Sequence, residues 1–339
     1  MASLLEKDQI GKREDLADYI ALVDAHDCPL VSGAKKGAKP GNTRMDWVGD
    51  AYSAAVATGT IDGTDVGSSD YQNPGENRAI LSNYVQVHRR SIRVSPLSLE
   101  ISNVAGINDE LANGIAKKLV ELKRDMEKSY LSANDAQADD GSSNAYLTKG
   151  LATWISTSGG SVLQVPTGFR TPSASIETTT TTSAIADSHV QDVLSSIYSE
   201  TGSIKNFTMP LGRTLKRAFT DNLTGTRSVT DASNNIAATQ VRTFSPQSGK
   251  KVTLAVDFFE GDFGSVALVP DNFMPEQTDG YVLDMDGIEI RYGKLPEVKE
   301  LPDSGGGPIR MVEAVAALVV KNPLAHVKFD LASYSRQGC

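Results

Sequence analysis

Cysteine, histidine and net positive charge are scarce in this chain, and each shortage excludes a class of protein. The 339 residues contain two cysteines, Cys28 and Cys339, and four histidines. Two cysteines are too few for a disulfide framework, so we expect a chain that is made and folded in a reducing cytoplasm. The net charge of −9 argues against a protein whose main task is to grip nucleic acid, although local contacts with DNA stay open.

Long apolar runs are also missing. No stretch approaches the roughly 18 apolar residues of a membrane span, and the N-terminal sequence MASLLEKDQIGKRED has no signal-peptide core. We therefore expect no membrane partner. The hydrophobic fraction of 40% and the charged fraction of 22% are ordinary for a folded protein, and the length allows one large domain or two to three smaller ones.

The chain has no convincing catalytic motif. PDSGGGP at Pro302–Pro308 and DAHDC at Asp24–Cys28 resemble the serine and histidine motifs of trypsin-like proteases, which makes a hydrolase using Ser304 one hypothesis. The serine run has one glycine too many, however. A Gly-rich hairpin tip between strands Glu297–Leu301 and Ile309–Val320 explains it better.

Metal and cofactor motifs are equally weak. LDMDGIE offers carboxylates at Asp284, Asp286 and Glu289, which is only a fragment of a calcium loop, and a turn between two strands explains it equally well. The histidines have no neighbours at zinc spacing, and there is no phosphate-binding glycine loop or dinucleotide fingerprint. We therefore expect no metal, no cofactor and no catalysis.

A helix of about 25 residues is the most informative segment, and it is predicted at Asn108–Ala133. Asn108 can cap it, and the acidic residues that follow suit the positive end of the helix dipole. At ~1.5 Å per residue such a helix is roughly 37 Å long and can brace a whole domain. We expect one apolar stripe to face the core, formed by Leu111, Ile115, Leu119, Leu122 and Met126.

Two extended segments precede this helix. Arg13–Val23 is a short amphipathic helix candidate, and the Gly-, Pro- and Lys-rich stretch after Cys28 predicts an extended arm. Asp50–Asn77 is rich in Gly, Ser and Asp and is flanked by strand-like Arg44–Val48 and Ala79–Val87. Long loops are usually functional and an isolated two-stranded protrusion is marginal in water, so we expect this one to rest on a partner.

The rest of the chain alternates helices and strands. Asp187 or Ser188 is predicted to cap a helix that ends at Gly202, and Pro210 to open another. From Val252 onward the pattern predicts antiparallel strands. The order of arm, loop, long helix, mixed middle and β end indicates an α+β protein.

These parts, in this order, resemble the major capsid proteins of tailed bacteriophages with the Hong Kong 97 fold. No single motif carries the resemblance, which depends on five co-linear segments and covers most of the chain. They are CPL…G…NTRMDWVGD (Cys28–Asp50), ISNVAGINDELANGIAKKLVELKRDMEKSYL (Ile101–Leu131), FFEGDFGSVALVPDNFMP (Phe258–Pro275), YVLDMDGIEIRYG (Tyr281–Gly293) and VVKNPLAHVKF (Val319–Phe329).

The resemblance implies a shell subunit that assembles as pentamers and hexamers into the icosahedral head around the phage genome. An encapsulin-like compartment with protein cargo is the alternative. The implied divisions are an N-terminal arm (1–47), an E-loop with flanking strands (48–94), a P-domain segment with the spine helix (95–150), an A-domain (151–257), P-domain strands with the P-loop (258–322) and a C-terminal strand assigned to the A-domain (323–339).

The same resemblance implies the partners and the contacts. Besides copies of itself, the chain is expected to meet packaged double-stranded DNA on its inner surface, a portal, a separate scaffolding protein because the arm is too short to carry one, and a decoration protein as an optional addition. It is expected in the virion, after assembly in the host bacterial cytoplasm. The candidate interface residues are Asp62, Asp65 and Asp70 of the loop, Lys35 and Lys36 of the arm, and Ser304, Gly305 and Gly306 of the P-loop.

One feature departs from the family pattern. Some relatives crosslink neighbouring subunits through an E-loop lysine, whereas this chain has no lysine between Lys39 and Lys117. We therefore expect non-covalent contacts.

Overall fold

Three β-sheets organise the chain. The computed structural model describes residues 27–101, 109–178, 185–223 and 257–331, except 69, 72, 74 and 186. The strands are β1 Lys35–Lys36, β2 Arg44–Asp50, β3 Arg78–Tyr84, β4 Gln86–Arg93, β5 Ile176–Glu177, β6 Lys205–Leu211, β7 Phe258–Gly261, β8 Gly264–Pro270, β9 Asp279–Val282, β10 Ile288–Leu301, β11 Ile309–Val320 and β12 Val327–Asp330. They form a four-stranded sheet in the order β1-β10-β11-β4, a six-stranded sheet in the order β5-β12-β9-β6-β8-β7, and a two-stranded ribbon, β2-β3. The helices are α1 Pro29–Gly33, α2 Pro96–Ile101, α3 Glu110–Leu131, α4 Leu151–Trp154, α5 Asp187–Thr201 and α6 Arg213–Leu223.

The long helix is α3, and it is shorter at both ends than the sequence predicts. Asp109, not Asn108, caps it: the Asp109 carboxylate accepts hydrogen bonds from the backbone N–H groups of Leu111 (2.9 Å) and Ala112 (3.0 Å). Asn108 itself lies outside the described residues. At the other end Ser132 adopts an extended conformation, so the helix stops at Leu131.

The apolar stripe of α3 is buried only in its C-terminal half. Leu122 and Met126 are at most 2% exposed, but Leu119 is 36% exposed, so its predicted burial is wrong. The C-terminal half packs against the β10–β11 hairpin in one hydrophobic cluster. In the N-terminal half of α3 only Gly114 is buried, and an added Cβ there would lie 1.9 Å from Cδ1 of Ile92. Periodicity therefore identifies the inner face of a helix, but not how much of that face is covered.

The β10–β11 hairpin confirms the predicted strands and tip. Alternate residues of β11, including Val312, Ala314 and Leu318, face α3, while Ala317 and Val319 pack on the other side against Met45 of the ribbon. Burial on both faces explains why β11 reads as a nearly continuous apolar run.

One predicted strand, Ala79–Val87, is in fact two. β3 pairs with β2 in the ribbon, and β4 pairs with β11 in the four-stranded sheet. The chain changes sheet at Val85, which is buried and whose N–H donates to the carbonyl oxygen of Thr43. The run from Arg78 to Arg93 contains no proline or glycine, so the sequence has no break to mark the change.

The six-stranded sheet and helices α5 and α6 form a second hydrophobic cluster. Gly202 ends α5 with a φ of +64°, as predicted, whereas the capping position before Asp187 falls at residue 186, outside the described residues. The prediction that Pro210 opens a helix is wrong. Pro210 lies near the end of β6, where its missing N–H is tolerated, and α6 begins at Arg213.

The strands after residue 257 do not form a separate antiparallel unit. β7, β8 and β9 join β6 in one sheet, and β6 pairs with β8 in parallel. Described strands on both sides of 257/258, where the resemblance implied a change of domain, therefore lie in one sheet. The arm before residue 27, including Arg13–Val23, and the terminal Cys339 lie outside the described residues.

Candidate assembly surfaces

The β2–β3 ribbon presents an uncovered apolar pair. Val48 lies directly opposite Ile80 in the antiparallel register, and the two side chains are 60% and 59% exposed. The other face of the ribbon is different, because Met45 and Leu81 are at most 5% exposed. The ribbon therefore has one face in the core, and on its other face the subunit leaves the Val48–Ile80 pair uncovered.

The loop from Ala51 to Asn77 continues this open surface. Its described residues form no helix or strand. Five large apolar side chains project from it with 68% or more of their area exposed: Tyr52, Val56, Ile61, Val66 and Tyr71. Burying one Val or Ile side chain is worth about 1.5–3 kcal/mol. A loop that leaves five such groups in water has much to gain from contact with a second surface.

The three candidate acidic residues lie on the same loop and are all exposed. Asp70 closes a local turn, since its carboxylate accepts from the N–H of Gly67 (2.9 Å) and its own N–H donates to the Gly67 carbonyl (3.0 Å). Asp62 lies within a second turn, in which Thr64 N–H donates to the Ile61 carbonyl, and Asp65 directly follows that turn. The structure thus places all three aspartates in one loop, whose described residues form no helix or strand.

The two candidate lysines are on β1, which pairs in parallel with β10. Lys35 is used within the subunit: its Nζ lies 2.8 Å from Asp286, and this hydrogen-bonded pair raises the pKa of Lys35 and lowers that of Asp286. Lys36 is exposed and has no ion pair within the described part of the chain. Of the two, Lys36 is the one available to another molecule.

The candidate tip residues Ser304, Gly305 and Gly306 form a tight turn organised by Asp303. The Asp303 carboxylate accepts from three successive backbone N–H groups, those of Gly305 (2.9 Å), Gly306 (3.1 Å) and Gly307 (3.1 Å). Gly305 and Gly307 have φ values of +94° and +102°, and a Cβ on Gly306 would collide with the guanidinium of Arg93. These demands account for the glycine run. The sequence analysis missed Asp303, although Asp before Ser-Gly is a usual turn signal.

Within the part of the chain that the structure describes, no histidine lies beside Ser304 to activate it. Ser304 is exposed, and no hydrogen bond joins it to a histidine in the described ranges. His88 and His326 are buried elsewhere, and His26 of the DAHDC motif lies outside the described residues.

Each carboxylate of LDMDGIE forms an ion pair with a lysine. Asp284 pairs with Lys205 (2.6 Å), Asp286 with Lys35, and Glu289 with Lys321. Across the residues that the structure describes, no group of three or more His, Cys, Asp or Glu side chains could hold a metal ion. No described helix has the length and apolar character needed to cross a bilayer.

The structure also shows a groove that was not predicted from the sequence. It has a volume of about 450 Å³ and lies between the N-terminal half of α3 and the end of β4, with Ile92, Arg93, Glu110, Lys117 and Glu121 in its wall.

Comparison with known proteins gives a concordant result. A family model described as SU10 major capsid protein matches residues 5–332. Among solved structures, a chain from Mycobacterium phage Adephagia has a TM-score of 0.62 at 10% identity, covering 98% of this chain and 100% of that one. A chain from Mycobacterium phage Bobi has a TM-score of 0.59 at 11% identity, with coverages of 98% and 100%. The capsid of a native GTA particle gives 0.57 at 12% identity, with 96% of each chain covered.

Comparison with curated protein sequences gives no match. The structural likenesses, at such low identity, establish the fold, and they confirm the capsid-type α+β fold expected from the sequence. None of the comparisons supports an encapsulin or a hydrolase.

Proposed function

Because this chain belongs to the SU10 major capsid protein family, whose model matches residues 5–332, we propose that it builds the phage head as pentamers and hexamers held together by the ribbon and its loop. A major capsid protein is a structural component of the virion. The proposal concerns how the copies meet: the loop of one subunit lies across the next, and its apolar side chains become buried there.

The observation that carries this proposal is the exposure of seven large apolar side chains on one continuous protrusion. They are Val48, Tyr52, Val56, Ile61, Val66, Tyr71 and Ile80. A monomer gains nothing from holding these groups in water, whereas an interface buries them. A shell also repeats each weak contact many times, so modest pairwise energies suffice.

The sheets suggest how the family's domains map onto the chain. We assign the P-domain to the four-stranded sheet with α3, and the A-domain to the six-stranded sheet with α5 and α6. The second assignment includes β7–β9, because they share a sheet with β6, and β12, which pairs with β9. Pentamers and hexamers would then differ by hinging of the arm and the loop around these two constant cores.

The remaining partners are inferred from the family. We propose that the chain has no catalytic activity, that its inner surface faces packaged double-stranded DNA, and that a portal, a separate scaffolding protein and, in some particles, a decoration protein complete the head. Assembly would take place in the bacterial cytoplasm. Contact between Asp62 or Asp65 of one copy and Lys36 of another would add charge attraction to the apolar contact.

The test replaces the apolar pair. Val48→Thr/Ile80→Thr keeps β-branched residues in the ribbon, so the subunit should fold normally but close at least tenfold fewer shells at equal concentration, as counted by electron microscopy. Deleting Gly59–Ser69 should abolish shells. Ile204→Thr is the matched control, because Ile204 is 62% exposed but precedes β6 in the other sheet. Normal shells from both the double variant and the deletion would refute the proposal.

A further inference from the structure

A buried carboxylate on α3 holds the first turn of α1. Glu127 is fully buried, and its two carboxylate oxygens accept hydrogen bonds from the backbone N–H groups of Leu30 and Val31, each at 2.7 Å. These are the free N–H groups at the start of a helix, and a carboxylate is their best acceptor. Helix α1 is therefore attached to α3 through Glu127.

A second buried carboxyl group lies beside the first. Asp271, which follows β8, is 2% exposed and within hydrogen-bonding reach of Glu127. One Asp271 oxygen accepts from the N–H of Phe273 (2.8 Å), but its buried Oδ2 receives no N–H or O–H donor from the residues that the structure describes. Two carboxylates only accept hydrogen bonds, so the two groups can bond to each other only when one of them carries a proton.

The surroundings do not neutralise the pair. Lys123 donates to the hydroxyl of Ser32 (2.7 Å), and the Arg124 guanidinium lies over the ring of Phe273. Cys28 precedes α1, and Tyr130 lies one turn further along α3; both are buried. Within the described residues, neither carboxyl group has a lysine or arginine at ion-pair distance.

Burial is the main reason that the pair retains a proton near neutral pH. It raises the pKa of Glu127 to about 8, with the neighbouring Asp271 adding to the effect, and it raises the pKa of Asp271 as well. Such a pair titrates as one unit. Burial likewise raises the pKa of the Cys28 thiol to about 11, so this group stays neutral in the same range.

We propose that Glu127 and Asp271 share one proton, and that this proton fixes α1 to α3. Loss of the proton to solvent leaves two buried negative charges side by side, which favours release of α1. The attachment of α1 to α3 is therefore sensitive to pH. This inference does not depend on the proposed contacts between subunits.

The direction of the effect follows from linkage. In the docked state Glu127 binds its proton up to about pH 8, whereas in the released state it should return to the ordinary value near 4.5. Docking is therefore strongest below about pH 4.5, weakens by up to about tenfold per pH unit as the pH rises toward 8, and is constant above that value.

The experiment measures hydrogen-exchange protection of the α1 amides in the full-length protein between pH 5 and 9, corrected for the intrinsic exchange rate. We expect the protection of Ser32 and Ala34 to fall by about 10²–10³ between pH 5 and 8 and then to level off, while the amides of α5 do not follow this curve. Circular dichroism at each pH verifies that the subunit remains folded.

Two variants separate the shared proton from a purely structural role. Asp271→Asn keeps the acceptor for Phe273 and places an NH₂ donor toward Glu127, so protection should become nearly independent of pH. Glu127→Gln should also remove the pH dependence, but at lower protection, because one of the two α1 acceptors is lost. Asp192→Asn, on the exposed face of α5, is the control and should behave like the wild type. Flat protection in the wild type, or an unchanged slope in Asp271→Asn, would overturn the proposal.

Discussion

The β10–β11 hairpin and the β2–β3 ribbon are both long antiparallel pairs, yet only the hairpin is complete within the subunit. The hairpin has α3 on one side, β4 along its edge, and a short tip closed by Asp303. The ribbon has a single covered face, a connection that runs from Ala51 to Asn77, and an exposed Val48–Ile80 pair. A strand pair whose apolar side chains are buried within the subunit supports the fold. A strand pair that leaves such side chains exposed is suited to bind another molecule.

The largest effect is expected from a substitution in α3, the helix that supports the hairpin. Leu122→Ala should lower the free energy of unfolding by about 2–5 kcal/mol, because it leaves a cavity in a closed core. Leu119→Ala is the matched control on the same helix: with Leu119 36% exposed, its cost should stay below about 1 kcal/mol. Urea unfolding of both variants measures the difference, and equal costs would contradict the exposure of the N-terminal half of α3.

Low pH should destabilise the packed sheets more than the ribbon. Burial lowers the pKa of His88, on β4, and of His326, before β12, to about 4. In the unfolded chain both titrate near 6.5, so the stability that their neutrality supports is lost as the pH falls from about 6.5 to about 4. The loss should be on the order of 3 kcal/mol for each histidine.

The unfolding free energy of His88→Phe should show a shallower slope over this range than the wild type. Phenylalanine keeps the edge-on ring contact with Tyr130, which places the ring centroids 6.1 Å apart, and removes an Nε2 that has no partner. An unchanged slope would mean that His88 titrates in the folded state as it does in the unfolded one.

The smallest effect is expected from the charges of the ribbon loop. Asp62→Asn/Asp65→Asn should leave the unfolding free energy unchanged and weaken shell formation by less than about tenfold, mainly at low salt, because exposed charge pairs are weak and screened. Asp192→Asn/Asp262→Asn removes two exposed carboxylates from the other sheet and its helix, and serves as the control. A loss of stability in the loop variant would show that these groups act within the subunit.

Several elements could be predicted from the sequence with close bounds. The two strands of the hairpin, the end of α5 at Gly202 and the long helix were found because their signals are local: an apolar run, a left-handed glycine and a 3.6-residue period. The open apolar groups of the loop were not found, because the sequence analysis noted the small and acidic residues there and overlooked the five large apolar ones between them.

Other features were decided by contacts between distant residues. Pro210 lies in a strand because β6 pairs with β8. The run Ala79–Val87 is divided because its two halves pair with strands of different sheets. Candidate Lys35 is used by Asp286 of its own subunit, and no local pattern could have indicated that.

The sequence by itself determined the strands of the β10–β11 hairpin, the long helix and the end of α5, and that the segment after Asp50 would have little core of its own. Only the tertiary structure decided which apolar faces are covered, and which charges meet. Glu127 and Asp271 lie on opposite sides of the chain's long middle region, and their pairing depends on α1, α3 and the end of β8 converging. Local periodicity reports the preferences of a segment, whereas burial and pairing are properties of the surfaces that the folded chain brings against it.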